Sequence, residues 1–170
     1  MSSFAQLPTK VVAGQIIIGN TIKPDETKYT AFREALKKKL ELNPRDTTSL
    51  FFTALLLEQF NNQLAKPTPG DKTAFENLLS AKEITEQLFN LKMQDFRAKI
   101  LRAQIYKDLT YRYVGDESWK FNNQQIANRR SSFNDYKKLA NEYYDELINL
   151  DRPNAYDYEK LKVTGNYSIR

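Results

Sequence analysis

Three short segments with the same layout divide this chain, and they constrain its fold more than any other feature. Each starts at the leucine that ends one helical pattern and finishes at a residue able to cap the next helix: Leu42-Asn43-Pro44-Arg45-Asp46, Leu91-Lys92-Met93-Gln94-Asp95 and Leu150-Asp151-Arg152-Pro153-Asn154. Corners repeated in this way predict antiparallel helices joined by tight turns. We therefore expect an all-α protein.

Apolar side chains recur at helical spacing between the corners, and this pattern predicts about six helices. Two segments rich in loop residues, Gln63 to Lys72 and Val114 to Asn123, interrupt it. The expected helices run from about Asp25 to Leu42, onward from Asp46, from Asp71 to about Leu91, from Asp95 to about Tyr113, from about Gln124 to Leu150, and from Pro153 as far as Gly165.

Residues 1–25 differ in character from the predicted helical domain of residues 26–170. Val11 to Ile18 is apolar and β-branched and contains Gly14, so we expect an extended arm that packs along the helices. Before it, Ser3-Phe4-Ala5 followed by Gln6 has the small residues found at the end of an export signal. We therefore expect a signal-peptide remnant and a periplasmic or otherwise exported protein. A cytoplasmic N-terminus that contains these residues by chance is the alternative.

The first corner, read with the residues from Ala35 to Glu41 before it, resembles the end of a tetratricopeptide repeat, where a helix finishing in Leu-Asp/Asn-Pro leads into the next repeat. Ala54 and Ala103 each follow a corner by the interval at which that family has a small residue, whereas Lys162 breaks the pattern. The corner leucines are 49 and 59 residues apart, against about 34 in the family. We expect the two predicted loops to contain the additional residues of each repeat.

This resemblance implies a right-handed stack of antiparallel helix pairs, with both inserted loops at the same edge. It also implies a non-catalytic module for protein–protein interaction or assembly, because stacked helix pairs offer a binding surface for a protein or peptide. A generic helical bundle with chance similarity at the corners is the alternative fold.

The composition excludes several kinds of active site. The sequence has no histidine and no cysteine, which removes thiolate nucleophiles, Ser-His pairs and the usual zinc ligands. The carboxylate pairs Glu142/Glu146 and Asp145/Asp151 look like ordinary helix surface charge, and no phosphate-binding loop is present. We therefore predict no catalytic, cofactor or metal site. A hydrolase that uses carboxylates is an alternative, and its sign would be a pocket with two close carboxylates.

Four aromatic residues fall where the helical pattern lapses after the fourth predicted helix. They are the candidate partner-binding residues, since exposed aromatic side chains are favoured anchors at interfaces: Tyr111, Tyr113, Trp119 and Phe121. A long inserted loop also needs a hydrophobic plug of its own. We expect Trp119 to serve as that plug, with a role in binding as the alternative.

A net charge of +5 raises the alternative of a surface for nucleic acid or another polyanion. The candidate basic patch consists of Lys37, Lys38, Lys39, Arg129, Arg130, Lys137 and Lys138. Acidic residues such as Glu34, Glu41 and Asp135 stand close by in sequence, so solvated helix faces are the favoured interpretation and nucleic acid is disfavoured. No apolar run approaches the ~20 residues that a transmembrane helix needs.

Overall fold

The computed structural model describes residues 9–18, 26–61 and 69–169 of the chain. Within them lie six α-helices, each packed against the next one along the chain, as an all-α fold requires. No described helix has the length and apolar content that crossing a membrane would take. The expected helix start near Asp25 and most of the loop from Gln63 to Lys72 lie outside the described residues. The helices are α1 Glu26–Leu42, α2 Thr47–Gln59, α3 Lys72–Asn90, α4 Phe96–Tyr111, α5 Asn123–Leu150 and α6 Ala155–Leu161.

Local capping residues set the starts of the central helices. The carboxylates of Asp46, Asp71 and Asp95 accept hydrogen bonds from backbone N–H groups in the first turns of α2, α3 and α4. Asn122 begins α5 with a capping box, in which its side chain and that of Gln125 bind each other's backbone N–H. These bonds satisfy helix N–H groups that have no partner within the helix. The predicted starts of α2, α3 and α4 are therefore confirmed.

The N-terminal arm is extended, as predicted, and it folds back on itself as a β-hairpin. Strand β1 (Thr9–Val12) pairs antiparallel with strand β2 (Gln15–Ile18). Ala13 and Gly14 between them have φ values of 49° and 75°, as a two-residue type I′ turn requires. The predicted cleavage remnant around Ala5 and Gln6 lies outside the described residues.

The hairpin is fastened to α4. Ile16 and Ile18 of β2 are buried in the main core, while Val12 and Ile17 remain exposed. Two hydrogen bonds also fix the orientation of the hairpin on α4. The backbone N–H of Ile16 donates to Gln104 Oε1 at 3.4 Å, and Arg97 Nη1 donates to Thr9 Oγ1 at 2.8 Å.

Helices α2 and α4 form the centre of the core because apolar residues cover much of their circumference. Ala54 on α2 and Ala103 on α4 are fully buried, at the two positions where the repeat pattern places small side chains. A small side chain at such a position permits close approach of helices. The largest fully buried apolar residues around them are Phe51, Leu55, Leu56, Leu78, Leu88, Ile100, Leu101, Ile105 and Leu109.

The last helix differs from the prediction at both ends. Pro153 lies in a 3-10 turn, Arg152–Asn154, and α6 ends at Leu161 rather than near Gly165. A tertiary contact explains the early end. Asn141 of α5 accepts a hydrogen bond from the N–H of Val163 at 2.8 Å and donates to the carbonyl of the same residue at 3.1 Å. The side chain thus engages both backbone groups of Val163, which a continued helix would need for itself.

Candidate functional site

The two inserted loops meet at one edge of the molecule. A Cβ atom built on Gly115, in the loop between α4 and α5, would lie 3.4 Å from Cβ of Pro69, in the loop between α2 and α3. A shared edge is the arrangement that the repeat pattern predicts. We call the segment Tyr111–Phe121 the aromatic loop.

The four predicted partner-binding aromatics separate into an inner and an outer pair. Tyr113 is buried and packs edge-on against Phe75, with ring centroids 5.7 Å apart. Phe121 is partly buried, and the guanidinium of Arg129 lies 4.6 Å from its ring centroid. Tyr111 and Trp119 are exposed. The inner pair therefore packs the loop onto the domain, and the outer pair faces solvent.

The prediction that Trp119 plugs the loop is wrong, because 77% of this residue is exposed. Trp119 lies in a 3-10 turn, Ser118–Lys120, and its ring contacts the ammonium group of Lys120 at 5.0 Å from the centroid. Tyr113 and Phe121 already supply the buried side of the loop. The plug is thus built from the smaller aromatic rings, and the indole is left outside.

Arg129 of α5 clamps the aromatic loop. Its Nε and Nη2 atoms donate to the two carboxylate oxygens of Asp116 at 2.5 and 2.7 Å, and its guanidinium also lies 4.6 Å from the ring centroid of Tyr113. The hydroxyl of Tyr167 donates to the same carboxylate at 2.7 Å. Burial, assisted by the bond to Asp116, raises the pKa of Tyr167 to about 12. The carboxylate of Asp116 therefore joins the aromatic loop to α5 and to the C-terminal segment.

Two of the four predicted basic residues of α5 are engaged by the C-terminal segment. Arg130 Nη2 donates to the carbonyl of Ile169 at 2.8 Å, and Lys137 Nζ donates to the carbonyl of Gly165 at 2.7 Å. Lys138 faces Glu142 at 3.9 Å. The bonds to carbonyl groups occupy N–H donors of Arg130 and Lys137 without neutralising their charge, whereas Arg129 and Lys138 face carboxylates. The other predicted members, Lys37, Lys38 and Lys39, are exposed on α1.

The carboxylates singled out in the sequence have separate structural partners. Glu146 accepts from Lys99 and Arg102, and Asp145 pairs with Lys162 at 2.7 Å. Asp151 accepts a hydrogen bond from the buried Tyr158 hydroxyl at 2.8 Å. In the described residues, the two members of each of these pairs therefore have different partners.

A different pair of carboxyl groups meets in a pocket of about 250 Å³ between α2, α4, α5 and β2. Sequence reasoning missed it because its residues come from four separate elements. We call this site the acidic pocket. It is lined by Gln15, Glu58, Gln59, Gln104, Lys107, Asp108 and Tyr144.

The carboxyl groups of Glu58 and Asp108 lie beside each other in the acidic pocket, and each influences the pKa of the other. Burial, followed by the nearby charge of Asp108, raises the pKa of Glu58 well above its ordinary value. Burial also raises the pKa of Asp108 to about 6, although Lys107 and Arg112 act in the opposite direction. Two carboxyl groups in contact cannot both ionise easily, so the pair holds a shared proton. Gln59 Nε2 donates to Glu58 Oε2 at 2.5 Å.

Tyr144 of α5 closes the inner side of the acidic pocket. The residue is fully buried, and within the described part of the chain its hydroxyl has no hydrogen-bond partner. Burial, followed by the charges of Asp108 and Glu58, raises the pKa of this hydroxyl. Buried polar groups without partners are uncommon in native proteins, and one that lines a pocket is suited to bind a ligand.

Comparisons of the chain with protein-family models, with curated proteins and with solved structures found no match. The described residues form six helices packed in pairs beside a two-stranded sheet, and this architecture is compatible with a helical-repeat fold. Function must therefore be argued from the aromatic loop and the acidic pocket themselves.

Proposed function

We propose that this chain is a non-catalytic, tetratricopeptide-like interaction module that binds a partner protein or peptide through the aromatic loop. The observation that carries the proposal is the 77% exposure of Trp119 on a loop held in place by buried contacts. Tryptophan and tyrosine are enriched among the residues that dominate binding energy at protein interfaces. Trp119 is thus suited to anchor a partner.

The clamp beneath the loop supports this role. Arg129 fixes Asp116 with two hydrogen bonds, and Tyr113 packs beneath the loop. A loop already ordered in the free protein loses less conformational entropy when a partner binds. Val114 and Tyr111 add exposed apolar surface within the same segment. An indole presented on a fixed loop is therefore better prepared for binding than one on a mobile loop.

The repeat-like features support the class of protein. The three corners stand between successive helices, Ala54 and Ala103 are buried, and the two inserted loops share an edge. Repeat proteins commonly use a surface formed by several consecutive units for recognition. The shared edge gives this chain such a surface, with contributions from two successive helix pairs.

The experiment uses the fact that Trp119 is the only tryptophan in the sequence. Partners captured from native cells by the parent protein are purified and titrated against it while the intrinsic tryptophan emission is recorded. Binding over the loop should shift the emission to shorter wavelength, because the indole leaves water. Trp119→Ala should weaken binding by at least about 2 kcal/mol, or roughly thirtyfold.

Tyr156→Ala is the matched control, since Tyr156 is an aromatic residue that is 70% exposed on α6. This variant should bind like the parent. A captured partner that binds the Trp119→Ala variant with unchanged affinity would refute docking through the aromatic loop.

We also propose that the chain is exported, on the strength of Ser3-Phe4-Ala5 before Gln6 alone. N-terminal sequencing of the protein expressed from its native gene tests this. A mature chain that begins at Gln6 is the expected result, and a cytoplasmic chain with residues 1–5 still attached would contradict it.

A further inference from the structure

Within the described residues, the carboxyl pair of the acidic pocket, Glu58 and Asp108, takes part in no ion pair with a lysine or arginine. Lys107 lines the pocket and influences Asp108 only through its charge. Partly buried carboxyl groups without a counter-ion are unfavourable, because burial removes them from water. Such a pair favours a cationic guest.

We propose that the acidic pocket binds a compact ligand through a primary ammonium group held by Glu58, Asp108 and the hydroxyl oxygen of Tyr144. An ammonium group has three N–H donors, and these three side chains offer three oxygen acceptors around one pocket. Binding would give the buried Tyr144 hydroxyl the hydrogen-bond partner that it lacks. This site is independent of the docking proposed for the aromatic loop.

The set of donors argues for an organic ammonium group over a divalent metal ion. Calcium takes six to eight oxygen ligands and is usually held by several carboxylates. The described residues contain no group of three acidic, histidine or cysteine side chains that could hold a metal ion. Two carboxylates and a phenol fit an ammonium group better.

Hydrolysis is the other chemistry that a carboxyl pair suggests. Glycoside hydrolases hold their two carboxyl groups about 5 Å or more apart, so that a sugar or a water molecule fits between them. Glu58 and Asp108 instead lie side by side in the acidic pocket, where the charge of Asp108 raises the pKa of Glu58. A pair that shares a proton can activate water, as in aspartic proteases. The pocket of about 250 Å³ is small for a peptide substrate, so binding of a small cation is the function we infer.

Binding should be coupled to proton release. The carboxyl pair holds a proton that an arriving ammonium group displaces into solvent, so that both carboxylates accept hydrogen bonds from the ligand. Lowering the pH through about 6, the pKa to which burial raises Asp108, would add a second proton for the ligand to displace, so the affinity should fall more steeply there. Three further groups interact electrostatically with the carboxyl pair and so influence its protonation: Lys107 and Arg112 from α4 and Tyr144 from α5.

The test follows the side-chain amide signals of Gln59 and Gln104 by NMR in the intact, isotope-labelled chain. Ethanolammonium should shift both signals saturably, and calorimetry in buffers of different ionisation enthalpy should show about one proton released. Choline carries the same charge but no N–H donors, and it should bind at least about tenfold more weakly. A lysine residue blocked at both ends is the second probe, which distinguishes a protein side chain from a free small amine as the source of the ammonium group.

Three variants sharpen the result. Glu58→Gln and Tyr144→Phe should each weaken ethanolammonium binding at least about fivefold, whereas Lys107→Gln should strengthen it by removing a like charge. Glu142→Gln on α5, which changes an exposed carboxylate, is the control and should leave the affinity unchanged. Because the Lys107→Gln variant changes a pocket-lining side chain outside the core, it keeps the test informative if a core variant fails to fold.

Four outcomes would overturn the proposal. They are unshifted glutamine signals with both amines, equal affinity for choline and ethanolammonium, preferential saturation by calcium, and turnover of an amide or ester substrate that Glu58→Gln abolishes. The first three exclude ammonium recognition by N–H donors, and the last assigns the pair to hydrolysis. None of them bears on the loss of partner binding by Trp119→Ala.

Discussion

Replacing Gly14 with alanine should weaken the attachment of the N-terminal hairpin to α6. Gly14 has φ of 75°, which costs a residue with a side chain about 1 kcal/mol. The new Cβ would also lie 3.0 Å from two ring carbons of Tyr158 and 3.1 Å from Cδ1 of Leu161. Carbon atoms in proteins pack at about 3.5 to 4.0 Å, so something must move.

The tyrosine is poorly placed to give way. Tyr158 is fully buried, and its hydroxyl donates to Asp151 Oδ2 at 2.8 Å. Relief would therefore come from a displacement of the hairpin, which would strain the contacts of Ile16 with the core. Overpacking of this kind costs about 1 to 3 kcal/mol. Together with the cost of the positive φ, the expected loss is about 2 to 4 kcal/mol of unfolding free energy.

Urea denaturation followed by circular dichroism measures this loss. Gly70→Ala and Gly165→Ala are matched controls, because a Cβ at either position would meet no atom within 4 Å and neither residue has a positive φ. Both controls should unfold within about 0.5 kcal/mol of the parent or be slightly more stable, since alanine reduces the entropy of the unfolded chain. If the Gly14→Ala variant unfolds like these controls, the close approach of Gly14 to Tyr158 does not limit the side chain at this position, and the predicted loss of unfolding free energy is wrong.

Ala103→Leu should lower the unfolding free energy by about 1 to 3 kcal/mol through overpacking, and an unchanged urea midpoint would mean that the core accommodates the larger residue. Arg129→Lys should increase proteolysis of the aromatic loop, because lysine cannot reproduce the bidentate bond to Asp116. Burial raises the pKa of Asp108, so its contribution to stability is full below pH about 4 and is lost as pH rises through about 6. Glu58→Gln/Asp108→Asn should flatten this fall by about 1 to 2 kcal/mol in pH-dependent melts, and an unchanged slope would contradict the raised pKa.

Features decided by neighbouring residues could be predicted from the sequence. Asp46, Asp71 and Asp95 each cap a helix through backbone N–H groups two or three positions ahead, so the signal and the structure share one short segment. The broad apolar surfaces of α2 and α4 likewise indicated central helices before any packing was known. The same local logic predicted an extended N-terminal arm.

Features that depend on contacts between residues distant in the sequence could not be predicted from the sequence. The pattern from Val11 to Ile18 gives extended backbone, but the hairpin depends on the turn at Ala13 and Gly14 and on packing against α4. The end of α6 is set by Asn141, which lies in another helix. The need of a long inserted loop for a hydrophobic plug predicts a buried Trp119, but the space beneath the loop is filled by smaller rings.

The acidic pocket shows the same limit for a candidate site. Glu58 is the one charged residue of α2 and Asp108 is the one acidic residue of α4, so each is an isolated acidic group on a largely buried helix. That isolation was the available signal, since a charge on a helix with little exposed surface needs a partner. Only the packing of α2, α4 and α5 shows that the partner of each carboxyl is the other and that Tyr144 stands beside them.

A displacement of the N-terminal hairpin should change the acidic pocket as well as the stability of the protein, but it should not change the aromatic loop. Gln15, a lining residue of the pocket, directly follows Gly14, so a displacement of the hairpin by Gly14→Ala would move one wall of that pocket. The loop around Trp119 is clamped instead by Arg129 from α5. Gly14→Ala should therefore weaken ethanolammonium binding while partner binding through Trp119 persists. If both activities were lost together in a variant that still melts cooperatively, the two sites would be coupled, and the independence argued from their separate supports would be wrong.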